Sequence, residues 1–481
     1  MILSCFYDCE FKRSRILLFL SIFVNRIIKN CSMKRVGVVL STLLLIILLG
    51  SFLYLNPLMP IITGYAAKNL SSGIFVANRT QESMEATDLN FSFIRFVNNS
   101  VDTTRKTVSS RFLWHTSRTT FVNGYGSILV NDYPVGDIQA RPYPVLPLLP
   151  ANPDTIAWPM GDLIADTIPS GIDMQQLNMA VEQAFADTIP YKGTFAVMVT
   201  YRGQPVAERY AEGFGPENRF LSWSMAKSFT NALTGILVKE GKLKLDAPAD
   251  IEEWQQDERR SITINNLMQM NSGLEWNEDY GNSSDVNNML HKEGDMARFA
   301  WSKPLEYRPD SVFEYASGST NIVSSLMRKA IGNDADYLAF PREKLFNRIG
   351  MRSALFEVDA SGTFVGSSYL YATLRDYTRF GLLYLNNGNW LGEQILPDDW
   401  VEYTTTAANG SDGTYGAFFW LNKTGKEYPD VPRDMFCCSG HDGQYIYIIP
   451  SKELVIVRTG FSKTGEFDQN GFIAGILDAI Q

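Results

Sequence analysis

Ser224-Met225-Ala226-Lys227 is the one place in the chain where a serine is followed three residues later by a lysine. Residues three apart share a helix face, so the lysine amine can reach the serine hydroxyl. A serine hydroxyl becomes an effective nucleophile only when a neighbouring base takes its proton. A buried lysine can be that base, because desolvation disfavours its ammonium form. The surrounding stretch SMAKSFTNALTGILVKEGK carries an apolar face of Phe229, Leu233, Ile236 and Leu237, with Gly241 where a helix stops. Ser224 would then open a helix, whose partial positive charge favours a developing oxyanion. An N-terminal helix serine followed by a solvated lysine has the same spacing, so the pair alone leaves both readings open.

Other chemistries are disfavoured. The 481 residues include three histidines (His115, His291, His441), no H-E-x-x-H, no cysteine pairs at zinc spacing and no phosphate-binding loop. No metal and no other cofactor is therefore expected. G-x-S-x-G is also missing, which removes the nucleophile elbow of the α/β-hydrolases. A formal net charge of -9 and a pI near 5.1 argue against a nucleic-acid partner, which needs a clustered basic face.

At 45% hydrophobic and 20% charged, the chain can bury a sizeable core, with length for one large domain and something smaller. Residues 36–55 are uncharged and apolar for the length of a bilayer core, so the membrane is an expected partner through this segment. Arg26, Lys29, Lys34 and Arg35 precede it and Lys68 is the first charge after it. The positive-inside rule then puts residues 1–35 in the cytoplasm as a leader, with Met33 an alternative start, and the rest across the membrane. A cleaved signal peptide is the rival, with small residues at Gly64-Tyr65-Ala66, but that site lies far past the apolar run. Of the five cysteines, Cys5, Cys9 and Cys31 precede the segment, and adjacent Cys437 and Cys438 read as buried and unbridged.

Residues 58–140 read as a small β-rich region, with strands expected in SGIFVANR, FSFIRFV, KTVSSRFLW and GSILVND. Residues 141–165 form a Pro-rich connector. Residues 166–481 read as the catalytic domain. TFAVMVTYRGQPVAERYAEG suggests two strands joined at Arg202-Gly203-Gln204, and INNLMQM, TNIVSSLMRKAI and RDYTRFGLLYL suggest helices. GQYIYIIPSKELVIVRTG suggests a hairpin turning at Pro450-Ser451-Lys452-Glu453, followed by the helix FIAGILDAI. The order implies an α/β fold of the α+β type, an antiparallel sheet between helical layers.

After Ser224-x-x-Lys227, the chain carries Phe313-Glu314-Tyr315-Ala316-Ser317-Gly318 and then Ser439-Gly440-His441-Asp442-Gly443-Gln444 before the terminal hairpin. Order and spacing resemble the serine β-lactamase and penicillin-binding-protein superfamily, within it the class C branch, and there most of all the 6-aminohexanoate-dimer hydrolases and related esterases. The likeness covers roughly residues 160–481. It implies a β-lactamase/transpeptidase-like fold with a helical subdomain, Ser224 as nucleophile and Lys227 as its base. Tyr315 matches the tyrosine of the family's Y-x-N motif, which relays a proton to the leaving group. Ser317 replaces that motif's asparagine, which weakens antibiotic hydrolysis as a reading. His441-Asp442-Gly443 matches the position of K-T-G, and the backbone N–H groups of Ser224 and Gln444 would hold the oxyanion. Lys463-Thr464-Gly465 spells that motif literally but leaves too few residues for the hairpin that must follow. Tyr280, in GLEWNEDYG, resembles the tyrosine that the 6-aminohexanoate-dimer hydrolases carry on a mobile loop; a surface aromatic is the alternative.

The expected activity is hydrolysis of a small-molecule amide or ester through a Ser224 acyl-enzyme outside the cytoplasm. A D-alanyl peptidase or β-lactamase acting on cell-wall substrates is the alternative within the class. A non-catalytic membrane-bound ligand sensor is the alternative outside it, disfavoured because Ser224, Lys227 and Tyr315 all stand in place.

Overall fold

The computed structural model describes residues 33–149, 152–186, 193–463 and 465–480. Cys5, Cys9, Cys31, the leader up to residue 32 and Thr464 lie outside the described residues. The chain divides into two compact units, Met1–Met59 and Pro60–Gln481.

In the first unit, helix α1 (Met33–Leu55) has its apolar side chains exposed, Leu43 through Leu49 among them. By length and composition it can cross a membrane: twenty residues at 1.5 Å each span about 30 Å.

The second unit opens with helix α2 (Met59–Phe75), in which Ile62, Thr63, Ala66, Ala67 and Leu70 are buried at helical spacing. The structure therefore differs from the β-rich reading of residues 58–140. Ser72–Phe75 closes α2, and Ile94–Phe96 is a 3-10 turn. Small residues let α2 press against the core, since a side chain at Gly64 would meet the His291 carbonyl at 2.5 Å. Strands do follow, as the antiparallel meander β1 (Asn98–Asp102), β2 (Thr107–Phe112), β3 (His115–Val122) and β4 (Gly126–Val130). A buried ion pair binds this region to the rest of the unit. Lys68 Nζ lies 2.6 Å from Glu357, which also accepts from the Ser72 hydroxyl and the Ser127 N–H on β4.

The remaining elements form the antiparallel sheet and its helical layers. Helix α3 (Met174–Gln183) precedes β5 (Gly193–Tyr201) and β6 (Gln204–Tyr210). Then come β7 (Phe220–Leu221), α4 (Met225–Lys239), α5 (Asp285–Lys292), α6 (Met296–Trp301) and α7 (Ser317–Ile331). Next are β8 (Leu355–Phe356), β9 (Leu370–Ala372), α8 (Leu374–Leu385) and the small hairpin β10 (Asn389–Trp390) with β11 (Glu393–Gln394). The chain continues with β12 (Trp420–Leu421), β13 (Phe436–Gly440), β14 (Gln444–Ile449), β15 (Leu454–Phe461) and α9 (Gln469–Asp478). The main sheet runs β12-β13-β14-β15-β5-β6 with every pair antiparallel. Helices α3 and α9 pack together, and α8 lies against β14, β15 and β5. Two apolar clusters fill the layers, one with Val197, Val199, Ile456 and Ile473, the other with Phe229, Ile446, Val455 and Phe380. Cys437 and Cys438 are buried and unbridged.

Candidate active site

Ser224 is the N-cap of α4, and the residue before it is unusual. Trp223 is 4% exposed and holds φ +45°, a left-handed conformation that costs a non-glycine residue about 1–3 kcal/mol. Four rings surround it. Tyr65 of α2 stacks at 6.3 Å, His441 and Tyr280 meet it edge-on at 5.6 and 6.4 Å, and Tyr369 lies at 6.3 Å. The backbone just before is fixed too, since the Ser222 N–H donates to the Leu370 carbonyl at 2.8 Å.

One helical turn on, Lys227 is 1% exposed. Its Nζ lies 3.0 Å from Ser224 Oγ, 2.9 Å from Ser317 Oγ and 3.1 Å from the Ser367 carbonyl. Burial lowers its pKa to about 8 against the opposing pull of Glu278. The Tyr315 hydroxyl lies beside Ser224, and its ring lies 4.8 Å from the Lys227 amine. Burial and the Glu278 charge raise the Tyr315 pKa, so the phenol stays protonated. The arrangement can move a proton from Ser224 to Lys227 and offer a second one from Tyr315.

Tyr280 is brought to the site. Its ring stacks on His441 with centroids 4.8 Å apart and 14° between planes. Its buried hydroxyl lies beside Ser317 without a well-formed hydrogen bond. The loop that carries it is pinned by Asn287, whose side-chain amide donates to the carbonyls of Tyr280 and Asn282.

The stretch expected at the K-T-G position is shifted. His441, Asp442 and Gly443 form the turn between β13 and β14, with Asp442 at φ +60° and Gly443 at φ +89°, a conformation a strand cannot hold. Gln444 opens β14, an interior strand, and pairs with Gly440 on β13. Its N–H therefore faces a neighbouring strand, and its side chain spans to Gly460. The residue that packs against the backbone leading into Ser224 is Gly440, where a Cβ would stand 2.2 Å from the Ser222 carbonyl oxygen. Beyond two-residue β12, one edge of β13 lies open. The Asn422 N–H donates to the Met435 carbonyl and Trp420 pairs with Cys437, so by strand alternation the N–H groups of Ser439 and His441 face that open edge.

The His441 side chain keeps 38% of its surface open, yet packing between Trp223 and Tyr280 lowers its pKa, which leaves it neutral at pH 7. Its Nε2 lies 3.3 Å from Asp442, whose own pKa burial pushes up to about 8. Lys463 lies past the end of β15, where its N–H donates to Glu466.

Two residues at the site were not legible in the sequence. Glu278 accepts from Ser317 Oγ at 2.5 Å, from the Ser317 N–H at 2.9 Å and from Trp276 Nε1 at 2.5 Å. Tyr65 comes from a helix that carried no chemical signature. Glu278 shares the stretch GLEWNEDYG with Tyr280, but nothing local singles out its carboxylate, and nothing pointed to Tyr65.

Comparison with known proteins agrees with this architecture. The family described as Beta-lactamase matches residues 189–471. The chain is 25% identical over 295 residues to the 6-aminohexanoate-dimer hydrolase of Paenarthrobacter ureafaciens, covering 55% of this chain and 72% of that one. A Bacillus anthracis structure assigned as a 6-aminohexanoate-dimer hydrolase aligns with a TM-score of 0.54 and 24% identity, over 70% of this chain and 90% of its own. A family VIII carboxylesterase aligns with a TM-score of 0.50 and 15% identity, over 64% and 96%. With a match across more than half its length and the layered antiparallel sheet in place, the chain belongs to the β-lactamase family and is a serine hydrolase.

Proposed function

We propose that the protein hydrolyses a linear amide or ester of a small molecule through an acyl-enzyme on Ser224. The observation that carries this reading is the Lys227 amine, buried, 3.0 Å from Ser224 Oγ and with a pKa lowered to about 8. Lys227 takes the Ser224 proton as Oγ attacks the substrate carbonyl. The backbone N–H groups of Ser224 and His441 hold the oxyanion; His441 takes the part first given to Gln444, because its N–H faces the open edge of β13. As the tetrahedral species collapses, Tyr315 protonates the departing nitrogen or oxygen. Water then repeats the sequence in reverse and frees the acid. The likeness to the 6-aminohexanoate-dimer hydrolase supports this substrate class over a lactam, as does Ser317 in place of asparagine.

The catalytic unit is proposed to lie outside the cytoplasm, tethered by residues 36–55, on the strength of the basic residues before that segment. Protease added outside cells with a permeabilised outer envelope is expected to digest residues beyond 60; digestion only from the cytoplasmic side refutes the placement. For the chemistry, a fluorophosphonate should label the detergent-solubilised chain once, at Ser224, and a panel of linear amides, esters, D-amino-acid peptides and a chromogenic lactam should rank the substrates. Labelling that survives Ser224→Ala sinks the assignment.

A further inference from the structure

We propose that Glu278 is a positioning residue that aims the Lys227 lone pair at Ser224, acting through the hydroxyl of Ser317. The inference rests on Lys227 as the base. A neutral amine has two N–H groups and one lone pair, and Lys227 has three neighbours: Ser224 Oγ, Ser317 Oγ and the Ser367 carbonyl. The Ser367 carbonyl can only accept. Ser317 could accept or donate, and Glu278 decides which.

Glu278 Oε1 accepts the hydrogen bond that the Ser317 hydroxyl donates, so toward Lys227 Ser317 Oγ can act only as an acceptor. Both N–H groups of the amine are thereby committed, and its lone pair is left facing Ser224. Oε2 is fixed as well, since it accepts from the Ser317 N–H and from Trp276 Nε1. The carboxylate therefore cannot turn. Loop 276–283 thus carries both Tyr280, against His441, and the group that orients the base. The titratable groups facing Lys227 are Glu278 from this loop and Tyr315 from the segment before α7.

The substitution Glu278→Gln is unusually informative. Two N–H donors converge on the Oε2 position, so the glutamine must place its oxygen there and its NH2 toward Ser317. That group donates to Ser317 Oγ and turns the hydroxyl proton toward Lys227, whose lone pair then accepts it and no longer faces Ser224. Loss of the carboxylate charge also lowers the Lys227 pKa, so the amine is neutral over a wider pH range. Charge and orientation therefore predict opposite results.

The test is the rate of fluorophosphonate labelling of Ser224 in the detergent-solubilised full chain, from pH 6 to 10, with thermal melting as the check on folding. The expected result for Glu278→Gln is a plateau at least about 100-fold below wild type, with the bend of the profile moved to lower pH. A plateau within threefold of wild type overturns the proposal, whatever the bend does. If Glu278→Gln does not melt cooperatively, Ser317→Ala decides instead: it frees one N–H of the amine and should slow labelling about tenfold or more, and wild-type labelling overturns the proposal. Lys227→Met is run alongside. If it labels as fast as wild type, the lysine-base reading itself has failed; if it is inactive while Glu278→Gln is not, only the positioning role has.

Discussion

The pH dependence of acylation follows from the burial of Lys227 and can be worked through in numbers. With a pKa of about 8, the amine is roughly one-tenth neutral at pH 7 and nine-tenths neutral at pH 9. The acylation rate, followed as kcat/KM for a chromogenic ester or as fluorophosphonate labelling, should therefore rise about tenfold over that interval and bend near pH 8. An ordinary lysine at about 10.4 would give a straight hundredfold rise with no bend below pH 9. A base with the lowered pKa of His441 would give no rise at all over this range. Stability carries the same signature with a definite sign. The folded pKa lies below the unfolded one, so the unfolded state binds more protons between pH 8 and 10.5 and stability rises with pH across that window. The shift of about 2.5 units corresponds to roughly 3 kcal/mol, which Lys227→Met should lack when melting is followed against pH. A flat rate profile from pH 7 to 9 in the wild type would refute the assignment of Lys227 as the base.

Other expectations test the frame around the site. Lys68→Met leaves Glu357 buried and unpaired and should cost about 3–5 kcal/mol in denaturant unfolding, with much of it regained when Glu357 is made apolar as well; a loss under about 1 kcal/mol contradicts the buried pair. Gly440→Ala forces a methyl toward the Ser222 carbonyl and should slow turnover by about 100-fold, while Lys463→Ala should change it by less than about threefold; the reverse ranking means the substrate strand is wrongly placed. Tyr65→Ala should slow Ser224 labelling by about 10- to 100-fold while Tyr65→Phe preserves it, and equal rates in both would show that the ring does not support Trp223.

What the sequence revealed and what it concealed divide along the range of the forces involved. The helix after Ser224, the turn at Pro450–Glu453 and the closing helix follow from local periodicity and turn residues, and the structure has α4, the β14–β15 hairpin and α9 there. Helix α2 was hidden because Ser72–Arg79 is rich in residues that favour strands, while burial against the core of the unit made the helix. The shifted register at the K-T-G position has a local cause that was readable. Asp442-Gly443 is a hairpin-turn dipeptide, and its two left-handed residues end the strand at Gly440. Glu278 was hidden for the opposite reason: its partner Ser317 lies 39 residues away, and no short-range pattern links them.

The strained residue beside Ser224 ties these observations together. Trp223 holds a left-handed backbone that must be stabilised by its surroundings, and aromatic pairs contribute about 0.5–1.5 kcal/mol each beyond simple burial. Two of its four ring partners, Tyr280 and His441, also stack on each other, Tyr280 from the loop after Trp276 and His441 from the turn after β13. The other two come from separate parts of the unit. Tyr369 belongs to the turn before β9, inside the family's matched region, but Tyr65 belongs to α2, which lies before residue 189. Helix α2 is itself held by the Lys68–Glu357 pair and by Gly64 packed on His291. A chain cut at residue 166 would thus keep Ser224, Lys227, Tyr315 and Glu278 and still lose the ring that stacks on the residue before Ser224. A chain trimmed to the family's own boundaries is therefore expected to label at Ser224 more slowly than the full chain while still melting cooperatively, and equal labelling rates would refute a supporting role for α2.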